Sequence, residues 1–99
     1  STSEVRARVN AAVARQSTRY KGMRWRLNAQ VPTGEASASM AFGSAAKDAL
    51  HLLALRAAWT GRGMAIIHRV ARTLADLDDT HEVDAPHVAL AASWRQDVL

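Results

Sequence analysis

Apolar residues recur at helical spacing along most of this chain, and one stretch abandons that rhythm. From about Ser3 to Arg19, the residues Val5, Val9, Ala12, Val13 and, just beyond, Tyr20 share a stripe at about 100° per residue, with Arg8, Arg15 and Arg19 beside it. Ser1 and Glu4 have the spacing of a capping box, so the first helix is expected to start almost at the first residue. A second helix is read from about Ser44 to Trp59, "SAAKDALHLLALRAAW". It is apolar nearly all round and is therefore expected to be the most buried, central element. In the third, "TGRGMAIIHRVARTLADL", Met64, Ile67, Val70, Ala71, Leu74 and Leu77 fall on one side. Arg62, Arg69, Arg72, Thr73 and Asp76 fall on the other, as a solvated face would. The fourth begins in "VDAPHVALAASWR", with Asp84 as N-cap and Pro86 in the first turn, where its missing N–H costs nothing. The pattern predicts an all-α, four-helix, bundle-like domain over residues 1–99, with Leu53, Trp59, Ile67, Leu74 and Val88 in its core.

The exception is the connection over residues 20–43, which has no helical period. A stretch of that length inside a small domain is usually functional, mobile or docked on something else. Its "RWRLNAQVP" alternates Trp25, Leu27 and Val31 with Arg24, Arg26 and Gln30, which predicts a short extended segment. Residues 33–43, "TGEASASMAFG", are small and mostly polar, and are expected to be disordered because they bury too little to offset the entropy of ordering.

Composition narrows the class. The chain has no cysteine, so neither a disulfide framework nor a thiolate metal site is available, which fits a cytoplasmic setting. No apolar run approaches the roughly 20 residues of a membrane span, and no signal-peptide pattern opens the chain. The formal net charge of +4 hides an asymmetry. Residues 1–26 carry Arg6, Arg8, Arg15, Arg19, Lys21, Arg24 and Arg26 against Glu4 alone, whereas residues 76–97 carry Asp76, Asp78, Asp79, Glu82, Asp84 and Asp97 against Arg95 alone. Three readings follow: nucleic acid at the basic end, docking between partners of opposite sign, or two solvated helix faces. "RYKGMRWR" interleaves basic and aromatic residues as single-strand binders do, which makes Arg19, Lys21, Arg24 and Arg26 candidate nucleic-acid contacts.

Self-contained catalysis has no support. There is no phosphate loop, no HExxH and no carboxylate pair in an apolar setting, and His51, His68, His81 and His87 lack metal-ligand spacing. One feature is electrostatically odd. Arg62 stands in the first turn of the third helix, where the helix dipole disfavours a cation by a few tenths of a kcal/mol to roughly 1. Arg62, Arg69 and Arg72 together form a ladder suited to phosphate, because the planar guanidinium fork matches its geometry. A solvated helix face accounts for the same spacing.

"RLNAQVP", the "GR" of residues 61–62, "RVARTLADL" and "VDAPHVALAASWR" resemble the C-terminal domain of magnesium-chelatase-like AAA+ ATPases, and more closely its ComM or YifB competence-type branch. The likeness covers almost the whole chain, and Arg69 to Leu77 is its most specific part. It implies a helical lid that follows an ATPase core on the same polypeptide. It implies ATP and Mg²⁺ bound by the parent and none by this domain alone, a ring homo-oligomer and a parent acting on DNA. In that family the arginine of the small-Arg turn is the sensor-2 residue, a place Arg62 occupies, with Arg69 in support. Three departures stand out: Ala65 and Ile66 replace a common Asp-Arg pair, His68 takes a usually aliphatic place, and the 33–43 stretch is less basic. Two alternatives to the lid remain, a helical protein-interaction module and a free-standing basic helical nucleic-acid-binding domain with the third helix in the groove.

Overall fold

A computed structural model of the chain describes residues 1–32, 35, 40–57 and 61–98, with the side chains of residues 57 and 95–98 outside that description. Four helices are present: α1 (Thr2–Arg19), α2 (Ser44–Ala57), α3 (Gly61–Leu77) and α4 (Ala85–Val98). A 3₁₀ turn, Asn28–Gln30, lies in the connection between α1 and α2, so the segment expected to be extended is instead wound into a turn at Asn28, where the Gln30 side chain accepts the Arg26 and Leu27 N–H groups. No strand occurs among the described residues, so the expected all-α architecture holds.

The local signals at helix ends act in part as the sequence requires. Ser1 and Glu4 form the capping box of α1. At the start of α4, the Asp84 carboxylate accepts the N–H of the next residue, Ala85, at 2.8 Å rather than that of the second or third helical residue as an N-cap would, while the His87 ring accepts the Asp84 N–H at 3.0 Å. α3 ends where Asp79 adopts φ 56°, with the Asp79 N–H donating to the Asp76 carbonyl at 3.2 Å and the Thr80 N–H to the Ala75 carbonyl at 2.9 Å. Those two bonds make a Schellman cap with an aspartate in the left-handed position that glycine usually fills.

The central helix is α3, not α2. α3 packs against α1, α4 and the 3₁₀ turn, while α2 packs against α4. Gly63, Ala65, Ala71 and Ala75 are buried along α3, and such small side chains let neighbouring helices approach closely. α2 buries Ala46 and Leu50 but leaves Leu52 and Leu55 at 52% and 69% exposure. Its all-round apolar composition therefore does not translate into all-round burial.

The core gathers Tyr20, Val31, Met40, Phe42, Ile67, Val83 and Val88, with Leu53 and Leu74 half-buried against it. Ile67, Val88, Leu53 and Leu74 thus lie where expected, and Trp59 falls outside the described residues. Two expectations are corrected. The buried face of α1 runs through Ala12, Gln16 and Tyr20, while Val5, Val9 and Val13 are exposed. The 33–43 stretch is not uniformly unable to bury itself: Met40 is fully buried and Phe42 nearly so. Phe42 makes an isolated parallel bridge to Val83, in which Val83 N–H donates to the Ala41 carbonyl and Gly43 N–H to the Val83 carbonyl, both at 3.0 Å. A Cβ on Gly43 would meet the end of the exposed Glu82 side chain at 2.9 Å and the Val83 carbonyl at 3.3 Å, so the backbones cross closely here and a larger residue would displace Glu82. Residues 33, 34 and 36–39 lie outside the described residues.

Candidate functional site

The C-terminal half of α3 is built around the carboxylate of Asp76, which is fully buried. One turn earlier on the same helix stands Arg72, also fully buried, donating to Asp76 Oδ1 at 3.0 Å. From α1, Arg19 donates to both carboxylate oxygens, and its contact with Oδ1 is the closer. Asn28, held at the start of the 3₁₀ turn, donates to Asp76 Oδ2 at 2.9 Å and to the Thr73 hydroxyl at 3.0 Å. The Asn28 carbonyl oxygen accepts the Tyr20 hydroxyl at 2.6 Å, and its backbone N–H donates to the Gln16 side chain at 2.8 Å. Two guanidinium groups, one carboxylate, a carboxamide and a phenol therefore close into one network. A buried charge is costly unless paired and hydrogen-bonded, and these charges are.

The titration behaviour follows from that enclosure. Burial pushes the Tyr20 phenol upward from 10.0, although the Arg19 charge beside it pulls the other way. For Arg72 burial outweighs the attraction of Asp76, so its pKa lies below the ordinary value. Arg19 feels burial too, but its hydrogen bonds and charge contact with Asp76, together with Tyr20, lift it overall.

The same two turns of α3 hold both ends of the connection. Arg69 donates from Nε and a terminal nitrogen to the Val31 carbonyl, at 3.1 and 2.6 Å. Arg72 donates to the Met40, Thr80 and His81 carbonyls at 2.8 to 2.9 Å. Its Nε is buried with no partner among the described residues. The arginine ladder read from spacing is thus split. Arg72, Asp76, Arg69 and Thr73 do not form a solvated face; they are buried or half-buried and turned to the protein's own polar atoms.

The charge asymmetry is likewise spent in part inside the molecule. Arg8 lies 3.8 Å from Asp78, Arg15 lies 2.9 Å from Asp79, and Arg19 pairs with Asp76. The basic stripe of α1 faces the acidic end of α3. This also explains why α1 turns Ala12, Gln16 and Tyr20 inward: that rotation brings its arginines onto the aspartates.

Besides Arg6, Lys47 and Arg56, two sets of exposed cations have no ion-pair partner among the described residues. Arg62, in the first turn of α3, is exposed, and no hydrogen bond or ion pair joins its side chain to any described residue. Gly61 and Gly63 flank it within the helix itself rather than in a turn before it. Lys21, Arg24 and Arg26 are exposed and equally without an ion-pair partner among the described residues, whereas Arg19, grouped with them by sequence, points inward to Asp76. Trp25 packs against the core. Of all α3 residues only Gly61 and Arg62 are exposed, so α3 has no free face to lay in a nucleic-acid groove. His68 packs its ring at 5.0 Å from Phe42, and His87 Nδ1 accepts the Asp84 N–H at 3.0 Å.

Sequence reasoning passed over Asn28 as a hub and Gln16 and Tyr20 as its partners. The one available signal was Arg72–Asp76, an i, i+4 opposite-charge pair on a helix whose other residues are mostly apolar. The segments that carried the resemblance, around Asn28 and from Arg69 to Leu77, prove to be the parts that interlock. No curated protein and no solved structure matches the chain. Residues 1–95 match the family model described as magnesium chelatase, subunit ChlI C-terminal. The chain belongs to that family, the helical lid domain of chelatase-like AAA+ proteins.

Proposed function

We propose that this lid contributes Arg62 as the sensor-2 arginine of an ATPase whose core lies on the same polypeptide. The observation that carries the reading is the contrast along α3: Arg69 and Arg72 are consumed by internal acceptors, while Arg62 is exposed and unpartnered among the described residues. A cation at a helix start is mildly disfavoured by the dipole, and a nearby phosphate would reverse that sign. The residues present supply one guanidinium to a phosphate site and neither a phosphate loop nor an acidic metal-binding set, so the fit is to part of a nucleotide site. ATP and Mg²⁺ bound to the core supply the phosphoryl chemistry. Arg62 adds positive charge where negative charge develops, as arginine fingers do. A ring assembly and a parent of the ComM or YifB competence type acting on DNA complete the proposal.

In the intact ATPase, Arg62→Ala is expected to lower turnover tenfold or more, since comparable electrostatic groups are worth about 2.7–4 kcal/mol of barrier. Stability of the domain should change by no more than roughly 0.5 kcal/mol, as for other exposed sites. Arg56→Ala, an exposed cation at the end of α2, is the control; Arg72 cannot serve because its loss would open the buried network. Full turnover in the Arg62 variant overturns the sensor assignment.

A further inference from the structure

The turn that follows α1 carries a second, separate feature. Tyr20 to Met23 form a tight turn in which the Met23 N–H donates to the Tyr20 carbonyl at 2.9 Å and Gly22 takes φ 85°. Residues 24–27 then alternate, Arg24 and Arg26 exposed, Trp25 and Leu27 half-buried. Lys21 and Arg26 line one cleft of about 180 Å³ together with Ser17, Tyr20, Gly22 and Met23. Lys21 and Arg26 thus meet at one cleft, Arg24 is exposed on the turn between them, and none of the three has an ion-pair partner among the described residues.

Of the four arginines on α1, Arg6 near the far end is also exposed without an ion-pair partner among the described residues, and the other three are paired. Arg8, Arg15 and Arg19 each face an aspartate of the α3 end. Uncompensated cations at and beside one cleft match the phosphates of a backbone. Trp25, the aromatic that would stack a base, is turned into the core, so the chemistry is that of backbone contact without base reading. An acidic protein surface offers no regular repeat of charge for Arg24 and Arg26 to follow.

We infer that Lys21, Arg24 and Arg26 form a sequence-independent grip on a nucleic-acid phosphate backbone, with a phosphate seated in the cleft between Lys21 and Arg26. The inference does not rest on the sensor role of Arg62. Three phosphate contacts release counterions in proportion, so log affinity should fall against log salt with a slope of about −2 for a single strand and −2.7 for a duplex. Between 50 and 200 mM salt that is roughly a 20- to 40-fold loss.

Fluorescence anisotropy of the 99-residue chain with a labelled 20-nucleotide oligomer of mixed sequence, at several salt concentrations, tests it. Each of Lys21→Ala, Arg24→Ala and Arg26→Ala should reduce the slope by a little under 1, and the triple variant should bind at least tenfold more weakly at low salt. Arg6→Ala is the control for net charge alone. It removes an exposed cation about 22 Å away along α1, given 1.5 Å of rise per residue, and should leave slope and affinity nearly unchanged. A triple variant that binds as the parent does overturns the inference. So does an Arg6 variant that loses as much as Arg24→Ala. Equal competition by polyglutamate of matched charge would assign the patch to acidic protein and overturn it too.

Discussion

The two ends of α3 carry the same residue type and use it in opposite ways. At the C-terminal end, Arg69 and Arg72 turn to backbone carbonyls and Arg72 also to Asp76, and Arg72, its Nε alone left without a partner among the described residues, is entirely removed from solvent. At the N-terminal end, Arg62 is exposed and its side chain makes no hydrogen bond or ion pair with any described residue. A guanidinium has five donors, and burying it is tolerable only when most of them are satisfied. The C-terminal end solves that problem internally by drawing α1, the 3₁₀ turn and the 80–81 turn onto one helix. The N-terminal end leaves it to solvent or to another surface. The specific run of residues is therefore architectural, and the exposed arginine of this helix sits in an unremarkable Gly-Arg-Gly.

The strongest way to break this comparison is to remove the acid at the C-terminal end. Asp76→Ala leaves Arg72 buried without its counter-charge and frees Arg19, a class of change that costs about 3–5 kcal/mol. Against a total stability of roughly 5–15 kcal/mol, the variant should lose a large part of its urea midpoint or fail to fold cooperatively. If its midpoint lies within experimental error of the parent's, the network is not what holds α1 to α3.

That prediction also marks what the residues disclosed on their own. Helix number, helix ends and core residues such as Ile67 and Val88 follow from local spacing and cap chemistry, and these are legible because each is decided within a few residues. The ranking of helices by burial was not. Counting apolar residues favours α2, but burial goes to the helix whose small and charged residues find complements elsewhere in the chain. Asp76 reads as a solvated aspartate until Arg19 and Asn28, 57 and 48 residues away in sequence, are brought beside it. Charge asymmetry misleads for the same reason: a cation row and an anion row at opposite ends of a sequence lie face to face in the fold. Arg62 was legible as an anomaly because a helix dipole is a local property.

A smaller effect sharpens the comparison by pH. Tyr20 is the one tyrosine, and its folded pKa is raised above the unfolded 10.0, chiefly by burial. A raised folded value means the native state holds the proton longer than the unfolded chain. The stabilisation is therefore fully present below about pH 10 and is lost as pH rises through the higher folded value. Urea midpoints measured at pH 8, 9.5 and 11 should be level across the first two and fall at the third. Tyr20→Phe removes the hydroxyl that Asn28 accepts, costing about 0.5–1.5 kcal/mol at pH 8, and should flatten the alkaline decline. An unchanged decline in that variant would place the alkaline transition elsewhere.

The smallest effect concerns the cap that ends the saturated half. Asp79 holds φ 56°, a conformation that costs an L residue roughly 1–2 kcal/mol and glycine almost nothing. It also places a negative charge at a helix C-terminus, where the dipole disfavours it by a few tenths of a kcal/mol. In return it makes an ion pair with Arg15 at 2.9 Å, but its side chain is 78% exposed, and such pairs contribute only about 0.2–1 kcal/mol. Arg15 keeps its 2.7 Å bond to the Asp76 carbonyl whether or not Asp79 is present. The terms sum in favour of glycine, less the extra unfolded-state entropy glycine brings, itself roughly 0.5–1 kcal/mol. Asp79→Gly should therefore be neutral to stabilising by about 0.5 kcal/mol in urea denaturation, while Asp76→Ala three residues earlier is severe. A clear loss of stability on Asp79→Gly would mean that the exposed Arg15–Asp79 pair matters as much as the buried one, and the distinction between saturated and surface charge on this helix would have to be redrawn.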